Sequence, residues 1–281
     1  MQPAARLLAA AAFALFALPA LAQQADDPVP SQCIAIAQSL PKATFASYSG
    51  ASYSGGPLNA QAISGDGEVT ITYAGHATYV IETPAGVRIA TDFNGTYGSS
   101  PLPRIVTMNK AHSGHHTLYP DPGIEYPLPG WGDANGPAKH ALVVDDVYVR
   151  NVPTDIRSYG GGMEVGGNSI FIFEVAGLCI GHLGHLHHHL EDAHYAAIGR
   201  LDIVMVPIDG GMTLSAGAMS EIVKRLFASI VLPMHRNWTP LSEFTSRLAD
   251  NFMLDFRQER SFSVSLRTLP RRPTVIVLEG V

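Results

Sequence analysis

The residues with most chemical potential in this chain are its histidines, twelve in all, five of them inside CIGHLGHLHHHL at 179–190. Three histidine-bearing segments each follow an apolar run that reads as a strand: IVTMNKAHSGHH, GLCIGHLGH and SIVLPMH. A fourth, ITYAGHAT, puts His76 in the same position. Side chains just past strand ends converge in sheet proteins, and neutral imidazole is a common ligand for a borderline metal such as zinc. A single histidine of this kind would read as a solvated or hydrogen-bonded residue. Four at independent strand ends point to a site. Asp92, Asp155 and Asp209 also stand at strand ends, where a carboxylate can supply charge, orient a ligand, or simply form a turn.

The elements that must position these groups follow from patterning. EVTITY alternates as a half-buried strand does, and GHATYVIET and VRIATD follow across turn signals. IVTM leads into the polar loop NKAHSGHHT. Residues 117–139, full of Pro and Gly, read as a long irregular excursion. HALVVDD, VYVRNVP, SIFIFEVAG and LCIGHL give four more strands, with SYGGGMEVGGN as a hairpin or mobile loop. The period then changes: LEDAHYAAIGRL, SAGAMSEIVKRLFA and LSEFTSRLADNF read as helices, and IVMVPID, IVLPMH and TVIVLEG as buried strands. Strands first, then alternating strand and helix, argue for two packed sheets with helices outside.

The N-terminus reads as an export signal. Arg6 precedes an apolar run, Ala20-Leu21-Ala22 has the small-x-small pattern of a cleavage site, and polar QQADD follows. The expected organisation is a signal peptide over 1–22, an Ala/Ser/Gly/Pro-rich extension over 23–66 with one short helix at CIAIAQSL, and one domain over 67–281. The destination is then the periplasm or the exterior. Removing Arg6 leaves 17 basic against 24 acidic residues, a net charge of −7, which offers no footprint for nucleic acid or anionic lipid. A small-molecule substrate is the expected partner, and no pattern specifies an oligomeric state. Cys33 and Cys179 would reach an oxidising space where a disulfide can form, but two positions in a sequence do not establish proximity.

In order and spacing, ITYAGHATYVIETPAGVRIATD, the histidine loop after IVTM, LCIGHLGH, IVMVPIDGG and IVLPMH resemble the metallo-β-lactamase superfamily, in particular the metal-dependent hydrolases similar to L-ascorbate-6-phosphate lactonase. The resemblance implies an α+β fold, a four-layer αββα sandwich, with a metal cleft along the strand ends and hydrolysis by a metal-activated water. Its usual loop, His-x-His-x-Asp-His, falls on Lys110 to His115, so that His112 and His115 match while Lys110 replaces the first histidine and Gly114 the aspartate. His185 falls where the family has a bridging aspartate, and His235 matches the last histidine.

With both motif carboxylates gone, two cations roughly 3.5–4 Å apart would lack the anions that offset their repulsion. The resemblance therefore implies one zinc per chain on His112, His115, His185 and His235, with His182 as a further candidate ligand. Lys110, if desolvated, would serve as base or nucleophile; Asp209 and His76 complete the catalytic candidates. Two other functions share these residues. One is a catalytically degenerate member that binds a small ligand or metal without hydrolysing it. The other is a metal-buffering protein using the histidines of 182–189.

Overall fold

In the computed structural model, which describes residues 31–34, 67–158 and 160–281, two β-sheets face each other across an apolar interior. The expected signal peptide, and the extension apart from 31–34, lie outside the described residues.

The first sheet holds six strands in the order β13-β1-β2-β3-β4-β5. They are β1 (Val69–Gly75), β2 (Thr78–Glu82), β3 (Arg88–Ala90), β4 (Ile105–Met108), β5 (Tyr126–Pro129) and β13 (Ser261–Val264). The second holds eight, β12-β14-β11-β10-β9-β8-β7-β6: β6 (Ala141–Val144), β7 (Val147–Arg157), β8 (Met163–Val175), β9 (Leu178–His182), β10 (Ile203–Pro207), β11 (Ile230–Met234), β12 (Met253–Phe256) and β14 (Thr274–Val277). β9, β10, β11, β14 and β12 run parallel. IVMVP and IVLPM are apolar throughout because these inner parallel strands are buried on both faces. β1 alternates because only one of its faces meets the interior.

Between the sheets, Ile71, Tyr79, Ile81 and Ile105 of the first meet Phe171, Phe173, Ile203 and Leu232 of the second. Truncating Phe171 or Phe173 to Ala would cost about 3–5 kcal/mol, since each is fully enclosed. The outer face of the eight-stranded sheet carries the helices α1 (Asp192–Ile198), α2 (Ala216–Leu226) and α3 (Leu241–Thr245). Ile198, Met219, Ile222, Val223 and Phe244 pack there on Val204, Val206 and Val231. The outer face of the six-stranded sheet is covered, among the described residues, by loop side chains such as Phe93, Ile124 and Trp131 rather than by a helix. The α+β sandwich is thus as expected, with a thinner helical layer than the family pattern implies.

Two local expectations differ, and a third resolves to one of its alternatives. The 117–139 excursion contains β5, parallel to β4; its prolines, which lack an N–H, are accommodated because β5 is an edge strand. SYGGGMEVGGN is a hairpin: β7 and β8 stay paired to Arg157↔Met163. LSEFTSRLADNF stops being helical at Thr245 and continues as turns. Cys33 and Cys179 are joined, which ties the described N-terminal residues to β9. Ser31 Oγ and the Gln32 amide bond Glu174 beside them.

Candidate metal centre

Three chain segments deliver the four histidines of the centre. His76 sits in the turn between β1 and β2, with its carbonyl accepting from the Tyr73 hydroxyl and the His235 amide. His112 and His115 lie on the loop after β4, closed by Asn109 N–H to His115 O at 3.1 Å and His115 N–H to His112 O at 2.9 Å. His235 follows β11 directly. His76, Asp92 and His235 all have positive φ, at 53°, 44° and 50°. Non-glycine residues held in that region cost free energy and cluster at functional sites.

One ring nitrogen from each of His76, His112, His115 and His235 lies within 4.8 Å of the other three. Among the described residues, His76 Nε2 and His115 Nε2 are buried without a hydrogen-bond partner, and His235 Nδ1 has only Asp209 Oδ1, 3.5 Å away. His112 Nε2 and His235 Nε2 are 3.4 Å apart, and His112 Nδ1 receives a long 3.2 Å contact from the Gly114 amide. Buried polar atoms are nearly always paired, so orphaned imidazole nitrogens facing one another fit a shared cation. Burial, and then the neighbouring imidazoles, push His76 and His112 down to about 4, which leaves both neutral and able to ligate at pH 7.

Behind His115 stands Asp92, with Oδ2 2.7 Å from His115 Nδ1. The carboxylate fixes the proton on Nδ1 and leaves Nε2 free, the arrangement found behind metal-bound histidines. Burial opposes the ionisation of Asp92, but His182, His115 and Asn109 outweigh it and hold its carboxyl below the ordinary value. Asn109 links the sheets here: its Nδ2 donates to Asp92 Oδ1 at 2.7 Å and its Oδ1 accepts from Ser169 N at 2.7 Å. Nothing in the sequence singled Asn109 out, because its role depends on a partner sixty residues away.

Other predicted site residues are placed differently. Lys110 is exposed and ion-paired with Glu164, so it is not the desolvated lysine that nucleophilic chemistry requires. His182 is fully buried, but its Nε2 donates to Ala77 O at 2.9 Å and its Nδ1 accepts from Gly184 N at 3.1 Å. With both nitrogens engaged it is a structural residue rather than a ligand. His185 packs its ring against those of His115, His235 and His112, with centroids 4.6, 4.8 and 5.2 Å away, yet it stands outside the four-nitrogen group. His76, a catalytic candidate in the sequence, stands among the ligand candidates instead. Asp209 accepts from the amides of Gly211, Met212 and Thr213 and reaches His235 Nδ1 at 3.5 Å, so it orients the loop and the imidazole. Burial works to raise its carboxyl, and His235 and Thr213 more than offset this, leaving it well below the carboxylate range.

Gly114 stands where the family pattern puts an aspartate, and a Cβ there would lie 2.7 Å from His76 Nε2 and 2.8 Å from His112 Cε1. In this chain an imidazole from the β1–β2 turn fills the space a carboxylate would need. The cluster opens on a cleft lined by His76, His112, Asp209, Met212, Asn237 and Trp238, with Trp238 almost fully exposed at its mouth.

Comparison with known proteins agrees with this geometry. Residues 70–235 match the model of the β-lactamase superfamily domain. A metal-dependent hydrolase of Pyrococcus furiosus is 25% identical over 201 residues, spanning 62% of this chain and 88% of that protein. A crystal structure from Thermotoga maritima, assigned as a Zn-dependent hydrolase of the metallo-β-lactamase superfamily, aligns with a TM-score of 0.53 and 26% identity, covering 75% of this chain and 98% of that one. One from Parabacteroides distasonis, at 16% identity, TM-score 0.51 and 66% and 90% coverage, shares the fold. Since the family match spans more than half of the sequence, the chain belongs to the β-lactamase superfamily, among the metal-dependent hydrolases of the metallo-β-lactamase fold.

Proposed function

We propose that this protein is an exported hydrolase that holds one zinc ion on His76, His112, His115 and His235 and cleaves a small ester, lactone, amide or phosphoester. The observation that carries this reading is the convergence of four imidazole nitrogens within 4.8 Å, with His76 Nε2 and His115 Nε2 buried without a partner among the described residues. When bound there, a divalent cation supplies Lewis acidity and a nucleophilic water at neutral pH. The chain's own groups set the stage. Asp92 keeps the His115 proton on Nδ1, Asp209 lies behind His235, and the turn backbone of His76 is pinned to His235 N. Nonpolar Met212 and Trp238 flank the mouth, where they would pack against an apolar part of the substrate.

One ion rather than two follows from charge. Asp92 and Asp209, the carboxylates adjoining the cluster, are already committed to Asn109 and His115 or to loop amides, so neither is free to bridge two cations. Export is supported by the Cys33–Cys179 disulfide, since such bonds persist in oxidising compartments. Elemental analysis of the purified mature protein tests the centre: about one equivalent of zinc per chain is expected, and less than about a tenth after zinc supplementation rejects it.

The absence of the two motif carboxylates favours, as a second reading, a centre that binds without turning over. Loss of a measured esterase or lactonase activity in His115→Ala would exclude it. The buffering role has less support, because the nitrogens of His182, His187 and His188 are engaged in hydrogen bonds.

A further inference from the structure

We propose that His185 is a hydrogen-bond donor aimed at the reacting oxygen of the substrate, not a ligand of the ion, and that His187 and the Arg157 amide fix it in that tautomer. The proposal rests on the metal-centre reading above and adds the group that reads the substrate's developing oxyanion.

A chain of three groups fixes where the protons sit. A backbone amide can only donate, and Arg157 N lies 2.5 Å from His187 Nδ1, so that nitrogen carries a lone pair. A neutral His187 then bears its proton on Nε2, which lies 2.5 Å from His185 Nδ1. His185 Nδ1 must accept, and the proton of the neutral His185 ring is on Nε2. Because each Nδ1 accepts a hydrogen bond, each ring carries a single proton and is neutral.

His185 Nε2 is buried and has no partner among the described residues, and the residue is 2% exposed. A nitrogen that carries a proton cannot ligate a cation, but an N–H left unpaired among three other imidazole rings is built for an acceptor that arrives from outside. The position itself is held rigidly. His185 N donates to Asn168 Oδ1 at 2.7 Å, and Gly184 before it adopts φ 61° where a Cβ would lie 2.4 Å from both Asn109 Nδ2 and Asn168 Oδ1. Preorganised donors aimed at a developing oxyanion are worth roughly 10²–10³ in kcat. The chemistry recognised is a carbonyl or phosphoryl oxygen gaining negative charge; the proton stays on Nε2 throughout. In place of the family's bridging carboxylate, this chain has put a neutral donor.

The test uses the full mature protein with zinc and inorganic phosphate as probes. In His185→Phe, zinc affinity should stay within about 3-fold of the unsubstituted protein, while calorimetry finds phosphate binding to the zinc-loaded form about 10-fold weaker, the loss of one charge-assisted hydrogen bond. Nitrogen NMR of the unsubstituted protein should find His185 protonated at Nε2 both with and without zinc, which decides the matter even if the variant fails to fold. Loss of the Nε2 proton on zinc addition, a drop in zinc affinity of 100-fold or more in His185→Phe, or unchanged phosphate binding would each overturn the proposal. If the unsubstituted protein takes up no zinc, the metal-centre reading falls, and the zinc-free nitrogen spectrum still decides the tautomer.

Discussion

The richest histidine tract in the molecule and its candidate metal centre are neighbours, yet they use imidazole in opposite ways. In 182–189, five histidines stand within eight residues; the backbone engages five of their ten ring nitrogens and the His185–His187 contact two more. His182 spends both nitrogens on Ala77 and Gly184, His187 accepts from Arg157, and His188 accepts from Asp155 and donates to His189 O. The four histidines of the centre come from three well-separated segments, at positions 76, 112 and 115, and 235, and among the described residues His76 and His115 each keep a buried nitrogen unpartnered. Density along the chain produced a hydrogen-bonded wall, whereas convergence in space produced a set of free lone pairs. A ligand is defined by an unsatisfied nitrogen, and satisfaction is decided by neighbours that a local window of sequence does not contain.

The largest effect should come from removing a centre histidine. His115→Ala or His235→Ala should lower zinc affinity by more than the roughly 10–100-fold that loss of an outer partner costs, read by competition with a chromogenic chelator. If either variant holds zinc as tightly as the unsubstituted protein, the contrast between the two regions is wrong. Asp92→Asn comes next. It keeps the shape but weakens the hold on His115 Nδ1, and should cost roughly 10–100-fold in the same assay.

Restoring the family aspartate probes the crowding at position 114. Gly114→Asp should destabilise the metal-free fold by about 1–3 kcal/mol, since its Cβ meets His76 Nε2 at 2.7 Å. Adding His76→Ala should recover much of that loss in denaturant unfolding, and a strictly additive pair would show that the two side chains do not compete for the space.

Acidity acts on the centre through two of its histidines. His76 and His112 titrate at about 4 in the fold, against 6.5 for an ordinary histidine, because burial and then neighbouring rings disfavour their charged forms. Between those values the unfolded chain binds more protons than the folded one, so the metal-free protein should lose stability as pH falls from about 6.5 to about 4. Thermal unfolding across that window should slope less steeply in His76→Gln. The smallest effect belongs to the exposed end of the tract: His189→Ala should change stability by no more than about 0.5 kcal/mol and leave zinc affinity unaltered.

Much of the architecture was legible before any coordinates. The alternation of VTITY, the continuous apolar runs of IVMVP and IVLPM and the helical period of SAGAMSEIVKRL are local consequences of which faces are buried, so they survive in a one-dimensional reading. β5 did not, because prolines argue against a strand until its place at a sheet edge is known. At the site, the residue types and the strand ends that carry them were readable, and His112, His115 and His235 do converge, together with His76. The surroundings of Lys110 were not readable, because its exposure and its pairing with Glu164 are facts of the hairpin across from it.

What the sequence determined by itself is therefore the set of strands and helices, the family to which their order belongs, and the strand ends from which imidazoles would emerge. Only the tertiary structure decided which nitrogens are free. Asp92 commits one nitrogen of His115 from 23 residues away, Ala77 removes His182 from 105 residues away, and the Arg157 amide passes a proton assignment through His187 to His185. The physical reason is that ligation, donation and structural bonding all use the same two ring nitrogens, and only the packed neighbours choose among them.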